Sequence, residues 1–145
     1  MWYGEYNHTL DNKDRLILPA KFREKIKTLK QKKFFITRGL DGCLALYSQD
    51  SWLSLEEKLK SLSFTKQQSR FFNRLYFSGA SEADIDSQGR IILPGYLKEF
   101  AQINREVMIV GVADRIEIWD KNLWDKFYHK NKKNFEEMAE NLFES

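Results

Sequence analysis

Two arginines stand four residues beyond an aspartate in matching settings, Asp11-Asn-Lys-Asp-Arg15-Leu-Ile-Leu-Pro19 and Asp86-Ser-Gln-Gly-Arg90-Ile-Ile-Leu-Pro94. An aspartate opening a tight turn accepts backbone N–H groups two residues on. The residue just before each arginine suits a left-handed conformation: Gly89 adopts it freely, and Asp14 is one of the few other types that tolerate it. Asp11, Asp14, Asp86 and Gly89 are therefore read as turn-forming residues. The arginine that follows begins a strand, where its planar fork of donors can hold a phosphate bidentately or read guanine O6 and N7. The competing reading is an Asp–Arg ion pair that only locks the turn, a common arrangement that contributes little when exposed.

The surroundings favour a polyanion. Between Asp11 and Lys30 the chain carries seven basic and three acidic residues. Lys13, Arg15, Lys21, Arg23 and Arg90 are the candidate DNA contacts. Lys25 and Lys27 are expected to be a solvated helix face, while Lys32 and Lys33 fit either role. The matching window Asp86–Arg105 holds only three basic and two acidic residues. On this count Arg15 is expected to carry most of the contact and Arg90 mainly to stabilise its own turn. The same asymmetry runs through the whole chain of 145 residues: net charge is +3, but the basic excess lies in residues 1–75 and the acidic excess in 76–145. One polyanion-facing surface accounts for such a split.

The elements that must position these residues come in two copies. At an offset of 75, residues 4–24 and 79–99 share seven identities, Gly4/Gly79, Asp11/Asp86, Arg15/Arg90, Ile17/Ile92, Leu18/Leu93, Pro19/Pro94 and Glu24/Glu99. The register returns at an offset of 72, Leu44-Ala-Leu-Tyr47 against Ile116-Glu-Ile-Trp119, so the second copy is three residues shorter in between. Each copy reads as strand, tight turn, strand, a helix opened by proline at its first position, and a hairpin. In copy one that hairpin is Phe34–Thr37 and Cys43–Tyr47. In copy two it is Val107–Val110 and Ile116–Trp119, turning at Ala113-Asp114. A β-β-α-β-β unit of some 45 residues can hardly bury its own core, so the copies are expected to intertwine as a pseudo-dimer.

The intervening stretch is expected to be helical: Trp52, Leu55, Leu59 and Leu62 recur at helical spacing. Thr65 and Gln68 read as a capping box for a second helix carrying Phe71, Phe72 and Leu75. Trp124, Phe127, Asn131, Phe135, Met138 and Leu142 continue the same spacing toward the C-terminus. The expected division is copy one over 5–49, a helical connector over 50–77, copy two over 78–121 and a C-terminal helix over 122–145.

Catalytic motifs are absent: the sequence has no HExxH, P-loop, GxGxxG, CxxC or GxSxG. Cys43 alternates with apolar neighbours and reads as a small buried hydrophobe. His8 and His129 lie far apart without metal-ligand spacing. Arg38 in the first hairpin is expected to be structural, and the helical aromatics to form core or subunit interface. No enzyme activity, metal, cofactor or small-molecule substrate is expected. No apolar run approaches the roughly 20 residues of a membrane span, and a cytoplasmic, nucleoid-associated protein is expected.

The doubled Asp-x-x-x-Arg-hydrophobic-Pro motif, with Gly4-Glu-Tyr-Asn-His-Thr-Leu-Asp, Thr37-Arg-Gly-Leu-Asp-Gly-Cys-Leu, Phe77-Ser-Gly-Ala and Arg115-Ile-Glu-Ile-Trp, resembles the MraZ family from about residue 1 to residue 128. The resemblance implies an α+β fold: two intertwined AbrB-like swapped-hairpin copies in a pseudo-dimeric β-barrel, with added helices between and after them. It also implies assembly into a closed homo-oligomeric ring and regulation of transcription through double-stranded promoter repeats upstream of the division and cell-wall gene cluster. An antitoxin-like module that binds DNA and a protein partner is the alternative.

Overall fold

The computed structural model describes residues 1–30 and 32–144. Copy one supplies β1 (Trp2–Thr9), β2 (Arg15–Ile17), α1 (Ala20–Thr28), β3 (Phe34–Arg38) and β4 (Leu44–Ser48). Two helices follow, α2 (Gln49–Lys60) and α3 (Gln67–Gly79). Copy two supplies β5 (Ser81–Ala83), β6 (Arg90–Ile92), α4 (Gly95–Phe100), β7 (Glu106–Ala113) and β8 (Arg115–Asp120). The chain ends in α5 (Lys121–Asn131), a 3-10 turn (Lys132–Asn134) and α6 (Phe135–Phe143). The architecture is α+β, with helices around a mostly antiparallel sheet.

The copies exchange strands. β1 pairs antiparallel with β7, and β5 pairs antiparallel with β3. At the centre β4 meets β8 in the register Leu44↔Ile118, Ala45↔Glu117, Leu46↔Ile116. In the repeat Leu44 corresponds to Ile116 and Leu46 to Ile118, so this register maps onto itself when the copies are swapped. An approximate two-fold axis therefore passes between Ala45 and Glu117. β2 and β6 obey the same rule, Arg15↔Ile92, Leu16↔Ile91, Ile17↔Arg90, with the axis between Leu16 and Ile91. The main sheet runs β1-β7-β8-β4-β3-β5, while β2 and β6 form a separate two-stranded ribbon. Hydrogen bonding closes neither sheet on itself, which departs from the expected barrel.

The core lies between ribbon and sheet. Leu16, Leu18, Ile91 and Leu93 come from the ribbon side, Ile36, Leu44, Ile109 and Ile118 from the sheet, and Phe22, Ile26 and Leu97 from α1 and α4. Burying each such side chain contributes about 1.5–3 kcal/mol, so the short ribbon is held by its inner side chains more than by its few hydrogen bonds. The sheet's other face is covered in two halves. Trp52, Leu59 and Tyr76 from α2 and α3 pack on Ala45 and Tyr47. Leu123, Trp124 and Phe127 from α5 pack near Cys43, Met108, Val110 and Trp119. Cys43 is fully buried, and burial pushes its thiol up to about 12, so it stays protonated at neutral pH. Among the described residues no helix is long and apolar enough to cross a membrane.

Three local expectations shift. Pro19 and Pro94 sit at the N-cap, one position before the first helical residue. The capping box does not form: Lys66 is the N-cap of α3, and the Thr65 hydroxyl is taken up by Ser63 at 2.7 Å. Arg70 instead reaches back to the Phe64 and Thr65 carbonyls at 3.1 and 3.0 Å, fastening the loop rather than the orphan N–H groups. The expected single C-terminal helix is broken by the turn at Lys132–Asn134.

Candidate nucleic-acid interface

The turn chemistry is the same in both copies. Asp11 Oδ1 accepts the backbone N–H groups of Lys13 and Arg15 at 2.8 and 2.9 Å, and its Oδ2 accepts Arg15 Nε at 2.7 Å. Asp86 accepts Gln88 and Arg90 N–H, both at 2.9 Å, and Arg90 Nε at 2.8 Å. The left-handed positions fall where expected, Asp14 at φ 57° and Gly89 at φ 78°. The donated backbone hydrogen bonds, led by that of Arg15, hold the Asp11 carboxyl down at about 2. Asp86 is lowered for the same reasons, Arg90 N–H first. Both aspartates are thus ionised anchors across the physiological range.

The ion pair and the polyanion contact turn out to be compatible. Each aspartate engages its arginine through Nε, and an arginine has five N–H donors. The terminal nitrogens stay available for a ligand while the aspartate fixes the plane of the guanidinium. Strand alternation then decides where those guanidinium groups lie. Leu16 and Ile91 point inward with no exposure, so Arg15 and Ile17, with Arg90 and Ile92 across from them, share the ribbon's outer face. Arg15 and Arg90 are diagonal neighbours on that face, with Cα atoms about 7–8 Å apart. Their side chains are 28% and 24% exposed, nearly equal, and Ile92 beside them is 62% exposed.

Strand exchange also redistributes the lysines. Leu18 N–H donates to the Gly89 carbonyl and Leu93 N–H to the Asp14 carbonyl, both at 2.9 Å. Each strand therefore ends beside the other copy's turn, and the helix that follows starts there. α1 of copy one lies against the copy-two turn: Arg23 packs over Gly89, so that a Cβ added there would stand 2.2 Å from Arg23 Cδ. Arg23, Lys27 and Lys32 line a cleft of about 560 Å³ with Asp86, Ser87, Gln88 and Gly89. Conversely, Lys98 on α4 of copy two donates to Asp14 of the copy-one turn at 2.9 Å. Arg23 and Lys27 of the copy-one window, with Glu24, thus stand at the copy-two end of the ribbon, where Lys32 joins them. Both arginines therefore have basic neighbours in the fold, so charge alone does not rank Arg15 above Arg90.

The remaining candidates separate by position. Lys13 lies exposed in the first turn and Lys21 exposed in the first turn of α1. Lys25, expected to be solvated, bonds the Met1 carbonyl and lies 4.7 Å from the Trp2 ring centre. Arg38 is structural as expected: its Nη1 donates to the Leu75 carbonyl at 2.6 Å and to Ser78 Oγ at 3.3 Å, closing the end of α3. Lys98 escaped sequence reasoning. No motif marks Lys98, whose partner is 84 positions away. His8 on β1 is lowered by burial and by the nearby Arg23 charge, so it is neutral at physiological pH and adds nothing to the field.

A family model described as "MraZ protein, putative antitoxin-like" matches the chain twice, over residues 1–75 and 76–145. The transcriptional regulator MraZ of Moorella thermoacetica is 46% identical over 142 residues, covering 98% of this chain and 96% of the relative. The chain belongs to the MraZ family. The proteins of the same name from Desulforamulus reducens and Caldanaerobacter subterraneus subsp. tengcongensis are also 46% identical, over 98% of this chain and 97% and 96% of their own lengths. The two MraZ matches meet at residues 75 and 76, inside α3. Each contains one Asp-x-x-x-Arg turn, and strand exchange carries both turns to one ribbon.

Proposed function

We propose that this MraZ family chain is a DNA-binding transcriptional regulator whose reading surface is the outer face of the β2–β6 ribbon. One observation carries the reading: two aspartate-anchored arginines lie side by side on a solvent-facing two-stranded ribbon. A two-stranded ribbon fits the DNA major groove, where arginine forks read guanine edges. Arg15 and Arg90 read bases or clamp phosphates; Lys13, Lys21, Arg23 and Lys98 neutralise the backbone on either side. In this reading the repeats over 5–49 and 78–121 form an AbrB-like swapped-hairpin unit completed by the connector over 50–77 and the tail over 122–145. Several units assemble as a homo-oligomeric ring, so that weak unit contacts to spaced promoter repeats add through effective concentration. The targets are repeats upstream of its own division and cell-wall gene cluster, and the protein acts in the cytoplasm at the nucleoid, without catalysis.

The test is fluorescence anisotropy with DNA from upstream of its own gene against a scrambled duplex, over a salt series. The expected result is preference for the upstream DNA and a linear fall of log K with log salt, near −0.9 per neutralised phosphate. Equal affinity for both duplexes, or a flat salt dependence, overturns the proposal.

A further inference from the structure

We propose that α6 of one copy docks on the exposed face of α3 in a second copy, an apolar stripe on an apolar stripe with acidic and basic rims opposed. This inference rests on the chain assembling with itself. It goes further in naming the two surfaces, which differ and so make a head-to-tail contact.

Helix α6 has only nine residues, Phe135–Phe143. Isolated helices shorter than about 12–15 residues are marginal in water, so such a helix depends on packing. Its sides are sharply divided. At about 100° per residue, Phe135, Met138, Ala139 and Phe143 fall within an arc of about 140°, and Glu136, Glu137 and Glu140 occupy the other side. Phe135 is 71% and Phe143 88% exposed. Residues Phe135–Glu144 carry four glutamates and no basic residue.

The complementary surface is on the connector. Residues Lys58–Arg74 carry five lysines and arginines and no acidic residue. Phe71, Phe72 and Leu75 form an exposed apolar stripe on α3. Arg74 lies 5.9 Å from the Phe71 ring centre, which places a cation at the stripe's edge. Beside it opens a cleft of about 560 Å³ lined by Leu55, Phe72, Tyr76 and Lys58, with Asp50, Asp114, Arg115 and Glu117 also in its lining, so the basic rim is that of α3 itself. The chain's own tail stands elsewhere. α6 follows α5, which covers β7 and β8, whereas α3 packs on β3, and β4 and β8 separate β3 from β7 in the sheet. A second copy brings the two faces together, and because each copy offers both, the contact propagates around a ring or along a chain.

Charge reversal with rescue tests the docking. The tail variant is Glu137→Lys/Glu140→Lys, and the face variant is Lys58→Glu/Arg74→Glu. All four positions are exposed, so the fold is expected to survive, as thermal melting will check. Light scattering at micromolar concentration should show wild type as an assembly and each variant near the 17.3 kDa of one chain. An equimolar mixture of the two variants, and a chain carrying all four changes, should both reassemble. Variants that keep the wild-type mass overturn the docking while assembly itself stands. A face variant that stays assembled while the tail variant falls apart means that α6 pairs with α6, which also overturns it. A monomeric wild type removes assembly and docking together. Anisotropy on a single repeat, run beside it, reports separately whether the ribbon binds DNA.

Discussion

Replacing Arg15 and Arg90 singly with alanine decides whether the ribbon is one reading surface or two. Chain-local charge favours Arg15, but the folded surroundings are nearly balanced. Lys13, Arg15 and Lys98 meet Asp11 and Asp14 at one end, and Arg23, Lys27, Lys32 and Arg90 meet Glu24 and Asp86 at the other. Both guanidinium groups are held through Nε at 2.7 and 2.8 Å, with similar exposure. A bidentate arginine–guanine contact is worth about 1–3 kcal/mol. Each alanine variant should therefore lose about 5- to 150-fold in affinity per ribbon, at 1.4 kcal/mol per factor of ten. The two losses should match within a few-fold. Because the residues are diagonal neighbours on one face, the double variant should depart from additivity. Arginine-to-lysine variants keep the charge and lose the fork. They recover most of the affinity if the contact is to phosphate, and little if it is to a base edge. The assay is anisotropy over a salt series, on variants whose mass and melting match wild type. If Arg15→Ala abolishes binding while Arg90→Ala stays within two-fold, the ends act separately and the shared-face reasoning is wrong. If both variants bind like wild type, the Asp–Arg pairs only lock turns.

Three further outcomes follow from the geometry. Gly111 pairs with Gly4, and a Cβ there would stand 2.3 Å from the Tyr3 amide nitrogen, an atom that cannot swing aside; Gly111→Ala should cost about 1–3 kcal/mol or more and lower the calorimetric melting temperature by several degrees, and an unchanged melt refutes the contact. At Gly89 the obstacle is the flexible Arg23 side chain and the strain is left-handed backbone, so Gly89→Ala should cost about 1–2 kcal/mol and also weaken DNA binding in anisotropy by displacing Arg23; full affinity would mean that Arg23 is not part of the interface. The Asp11 carboxyl lies at about 2, below its ordinary 3.8, so its contribution to stability is complete above 3.8 and is lost as pH falls through about 2; an NMR titration of the side-chain carboxyl should show it ionised at pH 3, and a midpoint at or above 3.8 would contradict the turn geometry.

The repeat made much of the fold readable. Aligning Leu44 with Ile116 and Arg15 with Arg90 implied two like units that could not each bury a core, and strand exchange is how they bury one. The turns were equally readable, because an aspartate followed by a glycine or a second aspartate restricts the backbone within a few residues. Contacts that depend on distant neighbours were hidden. Thr65 satisfied the spacing of a capping box, yet its hydroxyl found Ser63 first. Periodicity across residues 124–142 survives a turn that holds the same face, so it missed the break at Lys132–Asn134.

The charge ranking of Arg15 over Arg90 rests on neighbours along the chain, and the fold arranges those neighbours differently. A window such as Asp11–Lys30 sums the charges that are neighbours along the chain. When two copies exchange strands, each turn is completed by the helix of the other copy, so a basic helix charges its partner's turn. Lys98 at Asp14 and Arg23 at Gly89 are the two halves of that exchange. A sequence can therefore be lopsided while its ribbon is nearly even, because α1 supplies cations beside Arg90 and α4 supplies Lys98 beside Arg15. The prediction of equal losses at Arg15 and Arg90 is thus a test of strand exchange as much as of DNA contact.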